Sequence, residues 1–520
     1  MRNRKYLLPL LLTLWIPSMG QELVDYPLPC RVHQAPGKLY TDGMTRAAAS
    51  DKFVIPVVFH VFGTDFNGKA VTREIVRDAL RRTNEDYNCL TKGSMPSGDD
   101  DPLFNRLSTP LNIEFRLAEK GPQGEATTGI VFHRLESGFG NYNAPHLSQY
   151  AWNNRSYMNV YIMNDLYGDG VTNNSGVSWY PNWEMTRWNL ARVVYNGAYL
   201  GDNTDENFRR VLTHEFGHFL NLAHTFDYDP DVFPDGCRKG NNGQENPNDY
   251  VDDTPPADRP QMGPDDLNCL NQKTNWTNYM NYSYVRTSMF TKGQVDRMTA
   301  ALQDRSRACL WNDKNLQKVF FSDESISRIV LDSKAELFPY DADGHYDADF
   351  RFSIINGSAK EGGLTPNTDF VIANLPEGLT ATATGNKDHV RLNIKGRAQL
   401  SEDRKITVTF KPSATAASNF YEGTQPLTIA HDYDATETGI RTVADPHAKA
   451  VVSLAADGTL KVTAPCGSRI TVYNAYGEAL QIFRLADHSM STSLAGYGHG
   501  MYIVSVLTEK SGQETVKVKW

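Results

Sequence analysis

"HEFGHFLNLAH", His214 to His224, gathers three histidines and a glutamate in a chain that has 13 histidines over 520 residues. The stretch ends "DENFRRVLTHEFGHFLNLAH", whose apolar spacing predicts a helix. On a helix His214 and His218 lie four residues apart, so they project from one face and can meet a single metal ion. Zinc suits them, being commonly tetrahedral with imidazole nitrogens at ~2.0 to 2.1 Å. Glu215 lies beside them, placed to take a proton from a metal-activated water rather than to bind the ion. His224 can join only if the helix stops after His218, since a continuing helix would aim it elsewhere. Such a break needs a residue that tolerates positive φ, and Asn221 is the non-glycine type that enters this region most readily. A helical His pair around a Glu also occurs on ordinary surface helices; the third histidine at this distance separates the two readings.

Further along, "TNYMNYSY" (Thr277 to Tyr284) follows. The long histidine motif followed by Asn-Tyr-Met-x-Tyr resembles the metzincin peptidases, with Met280 as the apolar floor beneath the metal in the Met-turn. Tyr282 matches the tyrosine that swings toward the tetrahedral intermediate and stabilises its oxyanion. Without that context Met280 would read as core packing. The blocks "FVIPVVFHVF", "IEFRLA", "HEFGHFLNLAHTF", "DYVDDTPP", "NYMNYSY" and "MFTKGQVDRM" occur in this order. Together they resemble the pappalysin family of secreted zinc endopeptidases, over roughly residues 53–311.

The resemblance implies an α+β metzincin-type catalytic domain, residues 53–313, with a twisted mixed sheet and an active-site helix above a cleft. It implies Ca²⁺ in the loop before the Met-turn, where Asp249, Val251, Asp253 and Thr254 match and hard oxygen ligands suit that ion. Read from the residues alone, the same loop is equally a solvated acidic segment. Family members usually carry two disulfides beside the cleft; "SYVRTSMF" holds no cysteine, which leaves Cys237 with Cys269 as the implied pair. The same stretch often supplies an acidic residue that favours arginine on the substrate. Here Arg286 stands with no carboxylate between Met280 and Phe290, which points to a different preference.

The chain begins with Arg2, Arg4 and Lys5, an apolar "YLLPLLLTLWIP" and then "SMGQ", which reads as a secretory signal peptide over residues 1–20, cut after Gly20. The apolar run is shorter than the ~20 residues a bilayer requires, and no later segment reads as transmembrane. Residues 21–52, with Pro and Gly and no periodicity, read as a pro-segment. Cys30 within it could place its thiolate on the zinc and keep a zymogen latent, as the resemblance suggests; "LPCRVH" lacks the usual Arg-Cys-Gly, and a disulfide or free thiol is the alternative. Cys89, Cys309 and Cys466 carry no assigned role. His60 and His133 read as packing or surface residues.

From about residue 318 short alternating β runs such as "RIVLDS", "FVIANL" and "ITVTFKP" predict an all-β, Ig-like sandwich over 318–445, either a spacer or a module that binds protein or sugar. A second all-β unit spans 450–520. Its "RITVYNAYGEALQIF", "GMYIV" and Lys-rich ending resemble the C-terminal sorting domain of the type IX secretion system, whose machinery would be its partner. A generic β-sandwich appendage is the other reading of this block.

A formal net charge of -9 with ordinary hydrophobic content argues against a nucleic-acid partner. The leading expectation is an exported zinc metalloendopeptidase acting on host or environmental proteins and peptides. The competing expectation is a catalytically silent metzincin scaffold used for adhesion, or a lectin-like binder with a structural zinc. A structural zinc would need four protein ligands where the motif offers three.

Overall fold

A computed structural model describes residues 52–90, 108–141, 146–226, 249–255, 257, 263–268, 271–283, 287–432 and, with short gaps at loop positions, 451–519. Residues 1–51, Cys30, Cys237, Cys269, Arg286 and Cys466 lie outside that set, as do the processing and disulfide expectations attached to them.

The first sheet is built around β1 (Phe53–Phe62), whose run of apolar and β-branched residues is buried on both faces, the pattern of a central parallel strand. β2 (Ile113–Leu117), β3 (Ile130–His133) and β4 (Met158–Met163) all pair with it in parallel. β6 (Val193–Asn196) extends the sheet in parallel from β4, and β5 (Gly176–Ser178) closes the far edge antiparallel to β6. The sheet is therefore mixed only at that edge. One face is covered by the helix Arg73–Tyr87, capped by the Thr72 side chain, which buries Val76, Ala79 and Leu80. The helix Val211–Phe219 shares the same core through Leu212, Phe216 and Phe219. It is shorter than the sequence pattern suggests. Phe208–Arg210 form a 3-10 turn ahead of it, and the helix ends at Phe219 because Asn221 turns the chain at φ 75°.

The helix Lys292–Gln303 then packs beneath. Thr291 and Gln294 form a reciprocal capping box at its start, satisfying two of the backbone donors a helix N-terminus leaves open.

The remaining chain is all β. β10 (Gly362–Leu364), β12 (Leu379–Asn386), β13 (His389–Arg397), β9 (His345–Ile355), β7 (Ser327–Leu331) and β15 (Phe420–Tyr421) form one sheet in that order. It faces a four-stranded sheet of β11 (Phe370–Ala373), β14 (Arg404–Phe410), β16 (Thr424–Ile429) and β8 (Glu336–Leu337). Phe352, Leu392, Ile394, Ile406, Val408 and Phe410 from the two sheets share one core. Residues 451–519 form a three-stranded and a four-stranded sheet around Leu460, Val472, Leu494 and Val504.

The first of these β units is bonded to the unit before it. The Tyr421 hydroxyl donates to the Gly124 carbonyl at 2.6 Å and Gln425 Nε2 to the Ala126 carbonyl at 3.0 Å. Arg73 pairs with Asp332, Phe132 bridges Lys334, and Ala126, Phe321 and Val330 form a small shared core. His60 and His133 are buried beside this seam, 3.1 Å apart, with His60 Nε2 on Asn159 Oδ1. Cys89 and Cys309 are free thiols.

Candidate metal centre

The turn at Asn221 does what the spacing requires. His214 and His218 project together from the Val211–Phe219 helix, and the reversal brings His224 back to them. His218 Nε2 lies 3.0 Å from His214 Nε2 and 3.1 Å from His224 Nε2. His214 Nδ1 faces the Tyr279 carbonyl at 2.6 Å and His218 Nδ1 the Leu222 carbonyl at 2.7 Å. A carbonyl only accepts, so each Nδ1 carries the proton and each Nε2 presents a lone pair. The Nε2 lone pairs of His214 and His218 therefore converge with no proton between them, and with His224 Nε2 beside them they are a donor set that suits a cation. Tetrahedral zinc with bonds of ~2.0 to 2.1 Å places its nitrogens about 3.3 Å apart, close to these separations. Burial, then His224 and His214, push His218 well below the ordinary histidine range, so it stays neutral and able to ligate.

The surroundings of the cluster come from five separate segments. Met280 is fully buried beneath it, and a Cβ on Gly217 would stand 2.5 Å from Met280 Sδ, so the absence of a side chain at 217 lets the thioether sit under the helix. The Met-turn is tied to the Lys292–Gln303 helix by a reciprocal amide pair, Asn278 Nδ2 to Gln294 Oε1 at 2.7 Å and Gln294 Nε2 to Asn278 Oδ1 at 3.1 Å. The Tyr282 hydroxyl lies 3.1 Å from His224 Nε2. Glu215 is fully buried on the helix, against edge strand β5: a Cβ on Gly176 would fall 2.5 Å from Glu215 Oε1. Tyr180 meets the His218 ring edge-on, and Phe226 stacks on His224 at 4.8 Å. Gly176, Gly217, Tyr180 and Phe226 carry no mark in the sequence. The only available signal was that residues flanking a three-histidine motif must wall it in, which does not say which distant segment does so.

The acidic loop divides its residues. The Thr254 hydroxyl bonds both the Asp249 carboxylate and the Val251 carbonyl, so three of the four oxygens expected to converge are together. Asp253 turns instead to the Lys292–Gln303 helix, accepting from the Thr291 hydroxyl at 2.6 Å and the Gly293 N–H at 2.8 Å. A carboxylate at a helix N-terminus also opposes the positive end of its dipole.

Among the described residues one further group could hold a metal, Asp403, His431 and Asp432, exposed on the β-sandwich.

Residues 141–303 match the Peptidase_M43 family model, described as pregnancy-associated plasma protein-A. An extracellular metalloprotease of Arthroderma otae is 27% identical over 229 residues, 41% of this chain and 73% of that protein. An extracellular metalloprotease of Sordaria macrospora is 33% identical over 153 residues, 28% of this chain and 47% of that one. Among solved structures, Tannerella forsythia mature mirolysin in complex with a cleaved peptide aligns at 24% identity and TM-score 0.42, covering 52% of this chain and 99% of that one. The segment that matches this family model contains the His214, His218 and His224 cluster, and the relatives that resemble the chain over part of its length are metalloproteases.

Proposed function

We propose that the chain is an exported zinc endopeptidase that cuts peptide bonds within proteins, made as a latent precursor. The observation that carries this reading is the meeting of three histidine Nε2 atoms beside a buried glutamate, with a tyrosine hydroxyl at the rim. Zinc, held by His214, His218 and His224, would lower the pKa of water toward neutrality and polarise the scissile carbonyl. Glu215 takes the proton of the attacking water and delivers it to the leaving amine. Its burial against Gly176 keeps competing water away from the carboxylate. Tyr282 donates its hydroxyl to the oxyanion as the carbonyl becomes tetrahedral.

The finer parts of the reading have separate supports. The relatives named extracellular metalloproteases favour export, and no helix among the described residues is long and apolar enough to cross a membrane. The leader residues 1–20 and the terminal β unit favour a signal-peptide route ending in type IX secretion. Ca²⁺ in the 249–254 loop is proposed from the match of Asp249, Val251, Asp253 and Thr254 to hard oxygen ligands. Cys30 is the proposed latency ligand, Cys237 with Cys269 the proposed disulfide, and Arg286 the proposed specificity residue.

The test is cleavage of an unbiased peptide library by the processed protein, with a chelator and Glu215→Gln as controls and cut sites read by mass spectrometry. Cleavage lost in the chelated protein, and reduced by about 10² to 10⁴-fold in the Glu215→Gln protein, supports the reading. A folded, zinc-loaded, processed protein that cuts nothing overturns it in favour of the silent scaffold.

A further inference from the structure

The turn that delivers His224 is braced by a residue to which no role has yet been given. Arg297, on the helix Lys292–Gln303, donates from Nε to the Asn221 carbonyl oxygen at 2.7 Å. Asn221 is the residue held at φ 75°, and its own N–H donates to the His218 carbonyl. The next carbonyl, of Leu222, fixes the His218 ring through Nδ1. The turn therefore sets both the direction of His224 and the orientation of His218. A backbone conformation that is uphill for an asparagine persists only where its surroundings hold it.

The other side of Arg297 faces the acidic loop. Its guanidinium lies 5.1 Å from the centre of the Tyr250 ring, within cation–π range. Burial pulls the Arg297 pKa down while Tyr180, Asp249 and Tyr250 pull it up, and Tyr180 is the ring that meets His218 edge-on. The helix that carries Arg297 is itself anchored to that loop, through Asp253 on Thr291 and Gly293. Loop, helix and turn thus form one connected unit that meets at a single guanidinium.

We propose that Arg297 is a positioning residue for the metal centre, clamping the turn between the second and third histidines and coupling that turn to the 249–254 loop. The inference rests on zinc as the ion of the site and is independent of whether peptides are cleaved. A planar fork serves this role where an ammonium does not, because one edge can bond the carbonyl while the face lies on the tyrosine ring. Loss of a partner bonded directly to a ligating imidazole commonly changes metal affinity by about 10 to 100-fold, and Arg297, acting one step further out through the turn, belongs at the lower end of that range.

The experiment compares full-length wild type with Arg297→Met, Arg297→Lys and Tyr250→Leu. Zinc affinity is measured by chelator competition, the visible spectrum is recorded after Co²⁺ replacement, and thermal unfolding is followed in the metal-free proteins. The expected result is zinc affinity about tenfold weaker or more in Arg297→Met, with shifted cobalt bands. Arg297→Lys should rescue little of this, and Tyr250→Leu should show a smaller change in the same direction. Wild-type affinity and wild-type cobalt bands in Arg297→Met overturn the proposal. So does a zinc loss that only tracks the loss of metal-free stability. If Arg297→Met does not fold, wild-type values in both Arg297→Lys and Tyr250→Leu overturn it instead. Normal zinc and cobalt behaviour in the wild type, with no cleavage by the processed protein, would sink the peptidase reading and leave this one standing.

Discussion

Asn221 shows what the sequence can and cannot reveal about a single residue. Its place between His218 and His224 predicts positive φ, and φ is 75°. Its side chain is fully buried, and neither amide atom finds a partner among the described residues. An ordinary L-residue in this region costs about 1 to 2 kcal/mol, asparagine less, and glycine's freedom there is offset by about 0.5 to 1 kcal/mol of extra chain entropy, so the backbone term alone nearly cancels. Burying an unpaired amide costs about 1 to 3 kcal/mol more. Asn221→Gly should therefore stabilise the folded chain by about 1 kcal/mol or more, read as a raised unfolding temperature at constant metal. An unchanged or lowered temperature would mean that the amide has a role in holding the turn. His214, Glu215, His218 and His224 were legible because their chemistry depends on spacing within one stretch. Arg297 was not, since a side chain from a helix over 70 residues away, bonded to a backbone carbonyl, leaves no pattern around itself.

At the scale of elements, the edge strand β5 matters more than its three residues suggest. Short strands of this kind, β3 and β6 among them, escape a search for alternating runs. By contrast β7, β11 and β14 of the first sandwich stand out as β-branched and apolar stretches, while its β8, β10, β15 and β16 do not. The apolar spacing predicts an earlier start for the site helix because the 3-10 turn at Phe208–Arg210 has nearly helical spacing. β5 brings Gly176 against Glu215, so bulk added there lands on the proposed proton acceptor before it reaches the histidines. Gly176→Ala should lower kcat at least about tenfold, the cost of misplacing a catalytic group by a fraction of an ångström, while leaving zinc content at the wild-type level. Equal losses of zinc and activity would show instead that the strand supports the metal. Gly217→Ala is the contrasting case. Its Cβ would press on Met280, and overpacking at such a site costs about 1 to 3 kcal/mol.

On the whole molecule, the seam between the first sheet and the β-sandwich carries a titratable group. Glu125 is buried in the loop that Tyr421 and Gln425 hold, and burial pushes its carboxyl up to about 7. The folded state therefore favours the protonated acid. The stability it contributes is present below the ordinary glutamate range and is lost as pH rises toward and through 7. A rise from about 4.5 to about 7 corresponds to roughly 3 kcal/mol by pH 8. Glu125→Gln, which mimics the protonated form, should unfold at a temperature that falls less between pH 5 and pH 8 than that of the wild type. Parallel curves for the two proteins would show that Glu125 titrates unperturbed. Composition and strand spacing predicted that two β units follow the metal-binding part. They could not predict that the first is bonded across a seam, because the bonds run from Tyr421 and Gln425 to backbone carbonyls of Gly124 and Ala126, far off in sequence and of no particular residue type.

The central position of β1 has a consequence for how the N-terminus can be trimmed. Phe53 is paired with Ile113 at the first residue of the strand, and Lys52 just ahead of it is ion-paired with Glu114. Downstream the same strand is flanked by β3 and β4. An exopeptidase advancing along the leader must hold several residues extended in its own cleft, and from Phe53 onward the backbone is already committed to its neighbours. The sheet therefore acts as a ratchet stop. In the proposed precursor, trimming of this kind should leave ends that collect at or before residue 53 without any specific cleavage motif to define them, as N-terminal sequencing of the exported protein would show.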